Sequence, residues 1–293
     1  MTGGPAYHIR LHLIVLIFGF TGILGKLIEL PAGLIVLYRM VIASLALAII
    51  IRWRGISFRS ERRRKIKWLL TGIVVGVHWF FFFESIKVST VSVALVSLSS
   101  TALFTSILEP LFHRKKFLWY EFLFGLVIIA GMIVVLRFEF RYHLGIMYGV
   151  LSAFLASLFT VLNSRYVVND YPSVISFYEL MGGAFFILMM NAILNGSALL
   201  EHLPTGMDMV YILLLAIVAT ALAFVIGIQV MKKLTAFTVS LTINLEPLYG
   251  ILLALIIFGD EEYMSAGFYL GFVMILSTIL LNAYLKRPGS AAA

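Results

Sequence analysis

Glu246 is the residue of this chain whose type and position most demand a chemical explanation. It lies near the middle of Ser240 to Glu261, SLTINLEPLYGILLALIIFGDE, a stretch apolar and long enough to cross a bilayer. A carboxylate at that depth costs several kcal/mol unless it faces a wet cavity or a partner. Pro247 follows it, removing one backbone donor and kinking or opening the helix beside the charge. On a continuous helix Thr242, Tyr249 and Gly250 stand at i−4, i+3 and i+4 from Glu246, so a hydroxyl, a carboxylate and a phenol share one face. Such a face suits an ammonium or an exchangeable proton; a structural carboxylate bonded to a neighbouring helix is the alternative.

Other polar residues inside apolar runs extend the candidate set. Arg39, beside Tyr38, needs a carboxylate partner or a substrate anion, and Glu179 stands beside Tyr178 in the same way. Glu84 and Lys87 are spaced i, i+3 and so pair with each other, unless Glu84 instead meets Arg39 as a gate. His78-Trp79 precedes the run Phe80 to Phe83, which offers an imidazole and an aromatic wall to a cationic or planar ligand. Asn163, Gln229 and Asn244 fit hydrogen bonds between helices, with Asn244 near enough to Glu246 to join its site. Glu109-Pro110 precedes His113-Arg114-Lys115-Lys116 and is expected to pair with that basic loop, and Gly182-Gly183 is expected to permit close helix packing.

Composition decides what surrounds these groups. The 293 residues are 62% hydrophobic and 12% charged, with mean hydropathy +1.05, which no soluble domain of this length would carry; the fold class is all-α, polytopic and membrane-spanning. Cysteine is absent and the six histidines show no ligand spacing, so disulfides, thiolate metal sites and zinc chemistry are not expected, and neither is a cofactor. Nucleophile motifs, catalytic carboxylate pairs and phosphate-cradling loops are also missing from the sequence, which argues against an enzyme. The net charge of +8 lies mostly in short loops, where it sets membrane orientation rather than binding nucleic acid.

Ten apolar runs are expected to be helices, at roughly 9–29, 32–52, 68–87, 92–112, 118–137, 144–165, 173–195, 209–231, 236–258 and 265–285. Each is about 20 residues, as a hydrocarbon core of about 30 Å requires. The first is read as a retained helix, not a cleaved signal, and 288–293 as a disordered tail. Of the 22 Lys and Arg, Lys26, Lys87, Arg137 and Arg141 fall on one side, Arg39 falls within a span, and the rest share the side of the N-terminus. That asymmetry places both termini in the cytoplasm and the chain in the inner (plasma) membrane, with acidic loops near Glu201, Asp208 and Asp260 to Glu262 outside.

The chain also repeats itself. Thr71 to Leu136 overlays Ile217 to Asn282 at an offset of about 146, with Gly125 on Gly271 and Thr101 on Pro247. Residues 1–142 and 143–287 thus form two five-helix units, and an odd number of spans inverts the second relative to the first. Inverted repeats place a substrate site near the midplane and work by alternating access.

The LEPLYGILLALIIFGDE segment and the glycine-rich last run SAGFYLGFVMILSTILL resemble the drug/metabolite transporter superfamily, in particular its EamA-type branch. Thr101 and Lys115 depart from the family's proline and glutamate in the first repeat. The resemblance implies a compact carrier of small metabolites, an amino acid or related amine among them, with export as the direction. It also implies a cavity lined by the first four helices of each repeat, the fifth and tenth being peripheral. Glu246 would then neutralise an ammonium or exchange a proton, Tyr38 and Tyr249 orient the substrate, and Arg39 and Glu179 bind or gate. A nucleotide-sugar or lipid-linked headgroup carrier and a non-transporting sensor are the alternatives. Expected partners are a small-molecule substrate, the lipid bilayer and protons, in a monomer or homodimer.

Overall fold

The computed structural model describes residues 5–114, 119–195 and 203–285; the tail 288–293, Lys115 and Glu201 lie outside these. Among the described residues the regular structure is helical throughout and makes ten spans. In the first half these are α1 (Pro5–Leu27), α2 (Ala32–Trp53), α3 (Arg62–Val88), a broken span of α4 (Val91–Leu98) and α5 (Thr101–His113), and α6 (Trp119–Phe138). The second half has α7 (His143–Tyr166) and α8 (Pro172–Asn195), then α9 (Gly206–Leu214) leading through a π-helical stretch, Leu215–Leu222, into α10 (Ala223–Val230). A second broken span of α11 (Ala236–Ile243) and α12 (Glu246–Phe258) precedes α13 (Ala266–Leu285). Five spans per half invert the second relative to the first.

Packing follows from where the chain is small. In hydrocarbon, burial offers helices no driving force against each other, so close van der Waals approach decides which of them meet. α3 lies against α8 and α7, α2 against α8, and α1 against α12 and α10, while α6 and α13 pair with each other at the flank. At the crossing of α3 and α8 a Cβ on Gly72 would land on the Glu179 carbonyl, and one on Gly182 on the Leu69 backbone. Backbone therefore touches backbone there, as Gly182-Gly183 suggested.

The two broken spans share one plan. Pro247 lacks an N–H and its ring opposes the carbonyl of residue 243, so the ninth span breaks at Asn244-Leu245. No proline breaks the fourth span; instead Ser100 Oγ donates to the Ser97 carbonyl at 2.8 Å and Thr101 Oγ1 to that of Leu98 at 2.6 Å. Such hydroxyls compete with the helical ladder and satisfy the acceptors it releases. Thr90 caps α4 by accepting from Val93 N, and Thr235 caps α11 by accepting from Thr238 N, each at 3.1 Å. These caps correct the repeat offset from 146 to 145 and lay Thr101 on Glu246, not on Pro247. The break also removes the expected continuous stripe of Thr242, Glu246 and Tyr249.

Each broken span starts on a carboxylate from the other half. Glu262 is fully buried and accepts from Val91 N and Ser92 N at 3.0 Å each and from Ser92 Oγ at 2.7 Å. Lys26 completes that strap, 3.0 Å from both Glu261 and Glu262. At the opposite end Glu109 accepts from Phe237 N at 2.6 Å. Glu109 is thus a buried residue of α5 that caps α11, a contact the sequence did not announce, while Lys115 and Lys116 of the basic run it was expected to pair with lie outside the described residues; a helix N-terminus is rich in unpaired N–H groups and favours an anion. Lys87 likewise donates to the Ile28 carbonyl instead of pairing with Glu84.

The contrast between two glycines is measurable. Gly182→Ala is expected to lower stability by about 1–3 kcal/mol, the usual cost of overpacking. Gly227→Ala, whose Cβ would meet nothing nearer than Ile14 Cδ1 at 3.5 Å, is expected to be near neutral. Thermal unfolding of both variants in detergent, compared with the unsubstituted chain, checks the difference.

Candidate functional site

The broken spans meet at the centre of the bundle, where Asn244 Nδ2 donates to the Ser99 carbonyl at 2.7 Å and ties one break to the other. Beside this junction lies a cavity walled by helices of both halves. α1 lines it with Phe18 and Thr21, α2 with Arg39, and α3 with His78, Trp79 and Phe82. Thr101 opens α5 and Glu246 opens α12 at its wall, α7 adds Phe159 and Thr160, and α10 adds Phe224, with Met231 just past its end. None of the lining residues comes from α6 or α13.

Arg39 is held by its neighbours without being neutralised. Only 1% of it is exposed, its guanidinium carbon lies 3.9 Å from the centroid of the Trp79 ring, and its Nε donates to Thr220 Oγ1 at 2.5 Å. Thr220 is aimed by the π-helical stretch, since its own hydroxyl donates to the Leu215 carbonyl five residues back, at 2.7 Å. The stacked ring and the single acceptor offset part of the cost of burying the charge. Arg39 Nη1 remains buried without a protein partner.

Glu246 presents the opposite charge to the same space. It is 4% exposed, lies in the first turn of α12 where a carboxylate is favoured, and has no hydrogen-bond or ion-pair partner among the described residues. Arg39 and Glu246 interact through space without forming a contact ion pair. The cavity therefore holds one cation and one anion, apart from each other, on largely aromatic walls. His78 sits on the same wall, its Nδ1 2.9 Å from the Ser152 carbonyl and 2.8 Å from the Ser152 hydroxyl.

Of the residues singled out from sequence as a candidate site, Glu246, Arg39, His78, Trp79 and, from the aromatic run, Phe82 come together here, and the others do not line the cavity. Tyr249 packs α12 against Gly19 of α1, and the Thr242 hydroxyl donates to the Thr238 carbonyl at 2.8 Å. Asn244 is engaged at the junction, and Tyr38 is half-buried outside the lining. Glu84 is also half-buried and forms no ion pair with Arg39, so the gate posited between them is not formed. The Tyr178 hydroxyl donates to the Phe58 carbonyl at 3.1 Å, beneath the α2–α3 loop. Glu179 is fully buried beside Asn163, away from the cavity. Sequence reasoning missed Thr21, Thr101, Thr160 and most of the aromatic wall; the repeat in its corrected register would have found Thr101 as the counterpart of Glu246.

The EamA-like transporter family model matches the chain over residues 8–137 and 143–284. Among curated proteins, none matches. A solved structure described only as "Crystal structure of protein" superposes with a TM-score of 0.75 at 16% identity, covering 97% of this chain and 100% of the other. That likeness concerns the fold.

The Arg39 support is separable from the rest of the site. Thr220→Val removes the acceptor of a buried guanidinium and is expected to cost about 1.5–3 kcal/mol, the range for hydrogen bonds to charged groups. Thr220→Ser restores the acceptor and is expected to recover most of that loss. Unfolding midpoints of the two variants in detergent test the assignment.

Proposed function

For a chain that belongs to the EamA-like transporter family, and is thereby a multi-pass membrane transporter of the drug/metabolite type, we propose a cargo. It is a small amphipathic metabolite bearing an ammonium, such as an amino acid or related amine, moved by alternating access through the cavity between Arg39 and Glu246. The observation that carries this reading is the pair of unmet charges. Among the described residues Glu246 makes no hydrogen bond or ion pair, and Arg39 Nη1 is buried without a partner.

A zwitterion satisfies both at once. Its ammonium meets Glu246, its carboxylate meets Arg39, and an apolar side chain lies against Phe18, Phe82, Phe159 and Phe224. Charge-assisted hydrogen bonds in a site shielded from water are strong enough to hold such a ligand. Arg39 is the single cation of the lining, which disfavours the nucleotide-sugar alternative, because a pyrophosphate calls for several.

The proposed direction is export across the plasma membrane, following the family resemblance. The distribution of Lys and Arg supports cytoplasmic termini. The conformational cycle opens the cavity to one face at a time, as inverted repeats do.

Counterflow in proteoliposomes with labelled amino acids and amines tests the cargo. Glu246→Gln is expected to weaken every ammonium-bearing label by roughly 10–100-fold, from about 1.5–3 kcal/mol for a charge-assisted bond. Arg39→Gln is expected to weaken amino acids while sparing amines that lack a carboxylate. Equal loss of both classes in Arg39→Gln, or no movement of any label, defeats the assignment. The absence of cysteine makes orientation testable as well. A single cysteine at Ser57 is expected to resist a membrane-impermeant maleimide added to intact cells and to react after lysis, and one at Asp208 to react in both.

A further inference from the structure

A second buried carboxylate remains outside the cavity. Glu179 on α8 and Asn163 on α7 are both fully buried, and Asn163 Nδ2 donates to Glu179 Oε2 at 3.2 Å. The other half of each group is unmet: Glu179 Oε1 and Asn163 Oδ1 are buried with no partner. As a carboxylate and an amide the two atoms are both acceptors, so neither relieves the other. An unpaired buried acceptor costs about 1–3 kcal/mol, and more when it is charged.

We propose that Glu179 and Asn163 form the coupling-proton site of the carrier, separate from the cavity that takes the cargo; this rests on the carrier reading above. A proton on Glu179 Oε1 turns that atom into a donor, and Asn163 Oδ1 is the acceptor that the pair leaves free. Acid and amide then exchange two hydrogen bonds in place of one. Loss of the proton leaves a carboxylate in the dry contact between α3, α7 and α8, a state with a direct free-energy cost.

Among the described residues no cation forms an ion pair with Glu179. α3 carries Arg62, Arg63, Arg64, Lys65, Lys67, His78, Glu84 and Lys87, α2 carries Tyr38, Arg39 and Arg52, α7 carries His143, Tyr148, Arg165 and Tyr166, and α10 carries no titratable group. Of these, Tyr166 interacts with Glu179 through space, and its hydroxyl lies 3.3 Å from that of Thr71. Lys65 lies over the Tyr178 ring, Arg39 and His78 face the cavity, and Arg165 is exposed. A cation such as sodium would need about five or six oxygen ligands, whereas a proton needs the one acceptor present.

Position makes the site a coupling site. Asn163 stands one turn from Thr160, which lines the cavity. Tyr166 and Thr71 follow toward the end of α7 that carries Arg165. The backbone contact of Gly72 with Glu179 joins the pair to α3, whose His78, Trp79 and Phe82 form the cavity wall. Cargo and proton therefore act on the same helices without sharing a ligand.

Infrared difference spectra of the full chain in lipid, recorded between neutral and alkaline pH, test the proton site independently of transport. A protonated-carboxyl band at neutral pH is expected in the unsubstituted protein, absent in Glu179→Gln and kept in Glu179→Asp. Glutamine reproduces the hydrogen bonds of the protonated acid, so that variant retains its fold. Superimposable spectra of the unsubstituted protein and Glu179→Gln overturn the proposal. In proteoliposomes, accumulation of ammonium-bearing labels driven by a pH gradient is expected to fall in Glu179→Gln to the level without a gradient. Persistence of that drive, or drive by a sodium gradient at constant pH, overturns the coupling role. If the unsubstituted protein moves no label, the carrier reading fails and the coupling role fails with it, while the infrared band still decides whether Glu179 holds a proton.

Discussion

In hydrocarbon no water waits to bond a peptide group that has left its helix, and this constraint shapes the centre of the molecule. Interrupting a span frees N–H and C=O groups at a cost of several kcal/mol each unless protein meets them. Two of the ten spans are interrupted nonetheless. At Ser99-Ser100 the released carbonyls are met by neighbouring hydroxyls and by Asn244 from the other break. At Asn244-Leu245 Pro247 has no N–H to leave unpaired, and the Asn244 side chain spends its donor across the junction. The far ends of the same spans are met by Glu262 and Glu109, each reaching from the opposite half. The repeats are thus sewn to each other through backbone groups that neither could satisfy alone.

Charges inside the bundle answer the same constraint in two ways. Arg39 and Glu246 both line the cavity, the first with its Nη1 unmet and the second with no hydrogen bond or ion pair among the described residues. Glu179 is sealed by the glycine crossing of α3 and α8, where Gly72 brings backbone onto its own carbonyl. The first arrangement borders a cavity. The second admits nothing larger than a proton without separating helices that touch along their backbones.

The spans were legible in the sequence because a bilayer fixes their length and hydropathy reports it directly; the ten runs fall on the ten observed spans with small shifts at their ends. The break in the ninth span was announced by Pro247. That in the fourth was hidden, since hydroxyl groups of Ser100 and Thr101 look the same in sequence whether they bond backbone within a straight helix or across a break. Glu246, Arg39, His78 and Trp79 were legible as ionisable or aromatic groups at membrane depth. Thr242 and Asn244 were placed beside Glu246 by assuming an unbroken helix, and across the break they bond elsewhere; Tyr249 shares the helix of Glu246 but packs against Gly19 of α1. Glu109 was read only against the basic run that follows it, and its bond to Phe237 N belongs to a helix more than a hundred residues away. Long-range capping leaves no local pattern.

The inversion makes Thr101 and Glu246 equivalent in position, yet the sequence makes them different in charge. Both open a half-helix at the cavity wall, where the N-terminal dipole favours an anion. A carboxylate at both would give the lining two negative groups against the one positive charge of Arg39, and would select a cargo with an excess of cationic groups. With threonine at 101 the charged groups of the lining balance, one against one, and position 101 contributes a hydroxyl already committed to the Leu98 carbonyl. On the proposed reading, Glu246 receives the ammonium of the cargo, and the balanced cavity is best matched by a ligand that carries both signs, since no charge is then desolvated without a counterpart. On that reading, the asymmetry at this single pair of equivalent positions is what suits the inverted-repeat cavity to a zwitterion.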